Sequence, residues 1–183
     1  ALSLSVIDAK GFEADDCIGT IAKYCSGHSI CARILSSDMD LLQLVDEHVH
    51  VAANKRGSSD YMIYTPDAVK KKYNITPSQV IDFKALKGDT SDNIPGVKGV
   101  GDKTAAQLIK DFGTLESIYD NLGSIKSNSL YKKLSTAKDM AFLSKQLVTI
   151  HNAVPISFET VSKSWAPNWV EVIPLFERLN FKS

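Results

Sequence analysis

Apolar residues at Ala14, Cys17, Ile18, Ile21, Ala22 and Cys25 recur at i, i+3, i+4, i+7, i+8 and i+11, which predicts one buried helix face, with Gly27 placed to stop the helix. The stretch before it, "ALSLSVI" at residues 1–7, reads as a β-strand. "SICARILSS", with Ile34 and Leu35, reads as a short buried strand, "DMDLLQLV" as a new helix start, and "HVHVAA" as a weaker strand. Strand, helix, strand, helix at this spacing predicts a βαβ unit and therefore a parallel sheet. From Pro66 onward the pattern turns helical. Pro66 can open "PDAVKKKY", and Thr76 followed by Pro77 suits an N-cap and first turn for "PSQVIDFKALKG". Ala105, Leu108, Ile109 and Phe112 form a further helix face closed by Gly113, and short helices are expected at "LESIYDNL" and across 127–147, with Met140, Leu143 and Leu147 facing inward. Trp169, Val172, Ile173 and Phe176 repeat the habit in the tail, with Pro174 breaking or restarting the helix and both Trp165 and Trp169 assigned to core packing. The predicted fold class is α/β: a partial parallel sheet with flanking helices, followed by a helical region.

With 183 residues, 44% of them hydrophobic, the chain is long enough for a normal core in one or two small domains. No apolar run approaches the roughly 18 residues that span a bilayer, so no membrane association is expected and the cytoplasm is the predicted location. Cys17, Cys25 and Cys31 lack ligand-like spacing and are odd in number, which fits reduced packing residues. Net charge is zero, yet it is unevenly spread. Residues 1–60 hold 5 Lys and Arg against 9 Asp and Glu, a balance of −4, while residues 61–183 hold 16 against 12, a balance of +4. That asymmetry is compatible with an acidic site on one side and a basic surface on the other.

Three acidic clusters account for much of the negative charge: "EADD" at 13–16, "SSDMD" at 36–40 and "GDTSD" at 88–92. If the βαβ reading holds, Glu13, Asp15 and Asp16 follow the first strand and Asp38 and Asp40 the second, so both groups fall at the carboxyl edge of the sheet, where open α/β folds bind ligands. Converging carboxylates without a counter-ion would cost on the order of 4 kcal/mol per pair about 4 Å apart at an effective dielectric near 20. Hard divalent cations would offset that cost, and oxygen-only donors with no nearby His or Cys point to Mg²⁺ or Mn²⁺ rather than zinc. Taken singly, each cluster also fits a helix cap or a turn.

Next to the third cluster stands "GVKGVGDKTA", residues 96–105, which has the form of a helix-hairpin-helix connection. Gly96, Gly99 and Gly101 suit tight backbone turns, with Val97 between them. Lys98, Lys103, the Thr104 hydroxyl and the free N–H groups at the start of the next helix can hold a phosphodiester without reading a base.

Taken in order, "GFEADDCIGTIA", "SSDMDLLQLV", "ALKGDTSDNIPGVKGVGDKTAAQLI", "FGTLESIYDNL", "LSKQLVTIHNAVPI" and "LFERLNF" resemble successive motifs of the 5′-nuclease, or flap endonuclease, superfamily, in particular the 5′→3′ exonuclease domains of bacterial DNA polymerases. The resemblance covers nearly the whole chain. It implies a structure-specific nuclease that uses two metal ions, Mg²⁺ or Mn²⁺, on 5′-ended or branched duplex DNA, works as a monomer, and has a fused or separate DNA polymerase as companion. Position by position, it implies Glu13, Asp15, Asp16, Asp38 and Asp40 as ligands of one metal, and Asp89 and Asp92, helped by Asp38 and Asp40, as ligands of the other. It implies hairpin residues Gly96, Val97, Lys98, Gly99, Gly101, Lys103 and Thr104 as the duplex grip, often around a bound K⁺. Residues 1–87 then read as the C-terminal part of the α/β nuclease core and residues 88–183 as the helix-hairpin-helix region with C-terminal helices.

The sequence departs from the family pattern in three ways. The early strand with its aspartate and the following helical arch have no counterpart, so the resemblance is to the C-terminal two-thirds of the domain, and Ser37 stands where glycine is common. Two rivals remain at the level of sequence: a non-catalytic duplex-binding module, and a haloacid-dehalogenase-like phosphatase with Asp38 as covalent nucleophile.

Overall fold

The computed structural model describes residues 2–55, 60–161 and 165–181. Helix α1 (Ala14–Gly27) begins where the apolar periodicity starts, its first turn closed by the Glu13 N–H donating to the Asp16 carboxylate at 3.1 Å. Cys17, Ala22 and Cys25 are buried along it. Strand β1 (Ala32–Leu35) pairs parallel with β2 (Val49–Asn54), Ala32 opposite Val49 and Leu35 opposite Ala52. The link between them is a 3-10 turn, Asp40–Leu44, rather than a full helix. Strand β3 (Tyr61–Tyr64) then adds antiparallel to β2, making the order β1-β2-β3.

Helix α2 (Pro66–Tyr73) is capped by Thr65, whose hydroxyl accepts from the Ala68 N–H at 3.3 Å. After a 3-10 turn at Pro77–Gln79, helix α3 (Val80–Lys87) runs through the middle of the molecule with Val80, Phe83, Ala85 and Leu86 buried. It packs against α4 (Asp102–Phe112) on one side and α7 (Lys138–Val148) on the other. The helices α5 (Leu115–Asp120), α6 (Asn128–Thr136), α8 (Phe158–Val161) and α9 (Trp169–Arg178) complete the chain. A single hydrophobic cluster extends from Leu41, Val51 and Tyr64 through Phe83 and Leu86 to Ile109, Leu115, Ile118, Leu134 and Ala141. Sheet and helices thus share this main core, and a smaller cluster of Ala22, Cys25 and Val49 seats α1 on the sheet.

Several expectations are corrected. Residues 2–9 form no strand, and Leu4 and Val6 are exposed; Ala1 lies outside the described residues. A strand needs a neighbour to pair its backbone groups, and this segment does not take the free outer edge of β1, which pairs only with β2 among the described residues. Strand β1 is half-buried rather than buried, with Leu35 67% exposed, and the sheet is mixed because β3 runs antiparallel. On α7 the inward face is Ala141, Ser144 and Val148, while Met140, Leu143 and Leu147 are exposed. Small residues let α7 lie close against α3, and Ser144 supplies an acceptor that a buried N–H requires. In α9, Val172 is buried but Trp169 and Ile173 are exposed, as is Trp165. Pro174 sits within that helix without breaking it. The carbonyl its missing N–H would leave free belongs to Val170, which is 82% exposed, so water can satisfy it.

One contact links the two halves of the central stretch. Gly88, directly after α3, and Gly96 lie back to back: a Cβ on Gly96, whose φ is +58°, would stand 2.3 Å from the Gly88 nitrogen. The Gly96 N–H donates to the buried Ser144 hydroxyl at 3.1 Å, and the Val97 N–H to the Leu86 carbonyl at 2.8 Å. Gly101 differs, with φ at −103° and open space where a Cβ would go. Gly96→Ala is therefore expected to lower the melting temperature strongly, by at least about 2 kcal/mol or roughly 4–8 °C, whereas Gly101→Ala costs less than about 1 kcal/mol. Thermal melts of the two variants check the contrast.

Candidate metal centre and nucleic-acid interface

The loop after α3 folds back on itself. The Asp89 N–H donates to the Ile94 carbonyl at 2.9 Å and the Ile94 N–H to the Asp89 carbonyl at 2.7 Å, with Asn93 in the left-handed region at φ +57°. This closure presents Asp89 and Asp92 together. The other side of the site comes from the turn after β1, where the Asp40 N–H donates to the Asp38 carboxylate at 2.8 Å and the Asp38 N–H to the Ser36 hydroxyl at 3.0 Å.

Asp40, Asp89 and Asp92 each bring a carboxylate oxygen to within 4.8 Å of the others, the one such triad of His, Cys, Asp or Glu side chains among the described residues. Asp15 lies beside this triad. Burial pushes its carboxyl above the ordinary value, and the charges of Asp38, Glu13, Asp16 and Asp92 push it the same way. Asp92 thus joins the two acidic groups. The donor set is oxygen only and carries a surplus of negative charge, which suits a hard divalent cation.

The acids from α1 reach the site from a helix N-terminus, with no strand before them. Glu13 caps α1, Asp15 lies in its first turn, and Asp16 already has structural partners: one oxygen accepts from the Glu13 N–H and the other from the His151 N–H at 2.8 Å. The segment carrying His151 straps α1 to the Asp40 turn. The Gln43 amide donates to the carbonyls of Asp40 and Val148, at 3.0 and 2.9 Å, and its oxygen accepts from the Ile150 N–H at 3.1 Å. Gly19 lets Ile150 approach, since a Cβ there would meet that side chain at 2.6 Å.

Lys84 is the residue that sequence reasoning missed. Only 7% exposed on α3, it ion-pairs with Asp40 and donates to the Asp89 carboxylate at 2.7 Å. Burial alone would raise Asp89, yet its hydrogen bonds from Lys84 and Ser91 bring it down to about 2. A lysine buried on an otherwise apolar helix face was the available signal. A second ion cluster, partly exposed, has a different role: Lys145 of α7 pairs with the buried Asp82 of α3 and the exposed Glu116 of α5, both at 2.7 Å, and ties three helices together.

The hairpin lies beyond the Gly88–Gly96 contact. Val97 and Val100 point into the core, while Lys98, Gly99, Gly101 and Lys103 are exposed and Thr104 is half-buried. Gly99 has φ +82°, and Lys133 of α6 donates to its carbonyl at 3.1 Å. Lys133 therefore adds a cation to this surface that spacing did not reveal. The stretch before "GDTSDN" is helix α3, where the phosphatase alternative needs a strand.

The chain is similar to known proteins in both sequence and fold. The chain matches the family model of the 5′-3′ exonuclease, N-terminal resolvase-like domain, over residues 1–74, and that of the 5′-3′ exonuclease, C-terminal SAM fold, over residues 75–169. It is similar to the DNA polymerase I of Bacillus caldotenax, 39% identical over 184 residues, and to that of Bacillus subtilis (strain 168), 40% identical over 184 residues. Each alignment covers 100% of this chain and 21% of the relative, so the chain spans about a fifth of these polymerases' length. Among solved structures, T5 5′-exonuclease with bound divalent metal ions (zinc) superposes with a TM-score of 0.70 at 26% identity, covering 79% of this chain and 52% of that one. A bacteriophage T5 flap endonuclease in a pseudo-enzyme-product complex with DNA and metal ions gives 0.72 at 25% identity, covering 81% and 54%. The catalytic core of Rad2 with DNA substrate gives 0.61 at 18% identity, covering 92% and 57%, a likeness of fold alone.

Crowding around Asp15 has a measurable consequence. Its folded-state pKa lies above its unfolded value, so near neutral pH the charged form opposes folding. In chelator, Asp15→Asn is expected to raise the melting temperature by a few degrees at neutral pH. That gain should fade as pH falls below the ordinary carboxylate range, where both states of the wild type are protonated, and should shrink when a divalent cation is added. Melts across pH, with and without the ion, test this.

Proposed function

Because the chain belongs to the 5′-3′ exonuclease family, we propose that it forms the catalytic-acid and duplex-gripping portion of a structure-specific 5′-nuclease that hydrolyses phosphodiester bonds at 5′ ends and flaps of DNA. The observation that carries this reading is the fixed attachment of the Asp40–Asp89–Asp92 triad to the glycine hairpin through Gly88 and Gly96. One element suits metal-dependent cleavage, the other a backbone grip, and a rigid link between them sets where a held strand is cut.

The two divalent ions are assigned as Mg²⁺ or Mn²⁺ on the oxygen-only donors, with Asp40, Asp89 and Asp92 holding one and Asp15, Asp38 and Glu13 turned to the other. When bound, such ions lower the pKa of an attacking water and balance charge on the leaving oxygen. No side chain need act as nucleophile. Asp16 orients the first turn of α1 through its two backbone hydrogen bonds, and the Asp38 carboxylate orients the Asp40 turn. On the hairpin, the exposed N–H groups around Gly99 and Gly101 and the cations Lys98, Lys103 and Lys133 face a phosphodiester backbone, with K⁺ as a further ligand of the loop. The substrate is branched or 5′-ended duplex. A fused or separate polymerase as companion belongs to the same proposal, supported by the polymerases to which the chain is similar; a monomeric state and a bacterial cytoplasmic setting are proposed with it.

A second reading is a duplex-binding portion whose acids do not cut by themselves. It is favoured by Lys84 lying across two of the triad's carboxylates. A 5′-labelled flap duplex incubated with the chain in Mg²⁺, with an EDTA control, separates the two. The main reading expects products near the junction that EDTA abolishes, and loss of cleavage by orders of magnitude in Asp92→Asn with duplex affinity retained; duplex binding without any product selects the second. On the binding side, Lys103→Ala or Lys133→Ala should weaken binding to all sequences alike and reduce the salt slope by about 1. Gly101→Ala should weaken binding while leaving the fold intact. Titrations of unrelated duplexes at several salt concentrations check this, and a sequence-selective loss contradicts a backbone grip.

A further inference from the structure

Lys84 sits where a cation is needed. Its ammonium bridges Asp40, from the turn after β1, and Asp89, from the loop after α3, and these are two of the three carboxylates in the triad. Without a positive charge between them, carboxylates whose oxygens lie within 4.8 Å of one another repel strongly in a partly buried site. A buried lysine with two carboxylate partners meets that need from inside the protein, at the cost of its own desolvation. The same side chain borders a cavity of about 160 Å³ lined by Met39, Tyr73, Phe83 and Lys87. A lysine enclosed on every side could not yield its place, but one beside a cavity can rotate out of it.

We propose that Lys84 is the resident cation of the metal-free site: its ammonium holds Asp40 and Asp89 together until a divalent ion takes their oxygens, whereupon the side chain swings toward the adjoining cavity. The inference rests on the metal site proposed above and adds a residue that opposes metal entry while it keeps the empty site assembled. Lys84 is thus a positioning residue. It makes the carboxylates converge in the absence of metal and sets the concentration at which metal displaces it.

The two roles predict opposite signs in one variant, which a merely structural lysine would not give. Mn²⁺ binding to the chain, read as loss of the free-ion EPR signal, is compared for wild type, Lys84→Met, Lys84→Gln and Lys84→Arg, alongside melts in EDTA. Both neutral variants are expected to melt lower in EDTA and yet bind Mn²⁺ roughly tenfold more tightly, because a unit positive charge no longer competes for the same oxygens; Lys84→Arg should stay near wild type. Lys84→Gln gives the reading should Lys84→Met fail to fold. Mn²⁺ affinity that is unchanged or weaker in the neutral variants overturns the role of Lys84, while wild-type binding that Asp92→Asn abolishes leaves the metal site standing. Absence of Mn²⁺ binding in wild type and neutral variants alike overturns both.

Discussion

Gly88 and Gly96 touch through their backbones, with no room between them for a single methyl group. The candidate acidic loop and the glycine hairpin are both anchored at that contact. Before it, α3 ends; between the two glycines the Asp89–Ile94 loop turns back to present two carboxylates; after it, the hairpin follows with Val97 and Val100 sunk into the core. Ser144 accepts the Gly96 N–H from the far side, so α7 closes the joint. A buried N–H left unpaired would cost about 1–3 kcal/mol, which explains why a serine stands on an inward helix face among alanine and valine.

Acid convergence is the opposing demand. The carboxylates come from three places in the chain, and each is supported by polar contacts that do not depend on metal: the first turn of α1 by Asp16 and the His151 strap, the Asp40 turn by Asp38 and Gln43, and the loop after α3 by Lys84. The fold therefore restrains charges that would rather separate, using hydrogen bonds from backbone N–H groups, the Gln43 amide and the Lys84 ammonium. Gly19 has a part in this despite lying outside the acidic motif. Its missing side chain makes room for Ile150, which anchors the strap that reaches Asp16.

Elements whose signals are local were legible in the sequence. Helices α1 and α4, capped at Glu13 and Gly101, follow apolar periodicity, α2 opens at Pro66, and the glycine hairpin lies where its spacing indicated. Elements that depend on a distant partner were not. "ALSLSVI" has strand composition but is not paired to the sheet over residues 2–7, and α7 turns Ala141 and Ser144 inward instead of the larger Met140 and Leu143 because α3 and Gly96 dictate the spacing. The same holds at the site. Seven acids could be picked out from three motifs, but the triad of Asp40, Asp89 and Asp92, and the lysine that bridges two of them, are facts of tertiary contact that no spacing encodes.

Under the proposed reading, the division of labour follows from these constraints. A hairpin that offers backbone N–H groups and mobile lysines senses phosphate position and is indifferent to bases. Selectivity must then come from geometry: the distance between gripped duplex and metal centre, fixed by the glycine joint and by α3. Lysine 145 stiffens the same frame from the opposite side of α3 by joining Asp82 and Glu116. Two lysines thus brace α3, the buried Lys84 of the helix itself at the acid triad and the partly exposed Lys145 of α7 within the scaffold, and only the first lies where an incoming cation would compete with it.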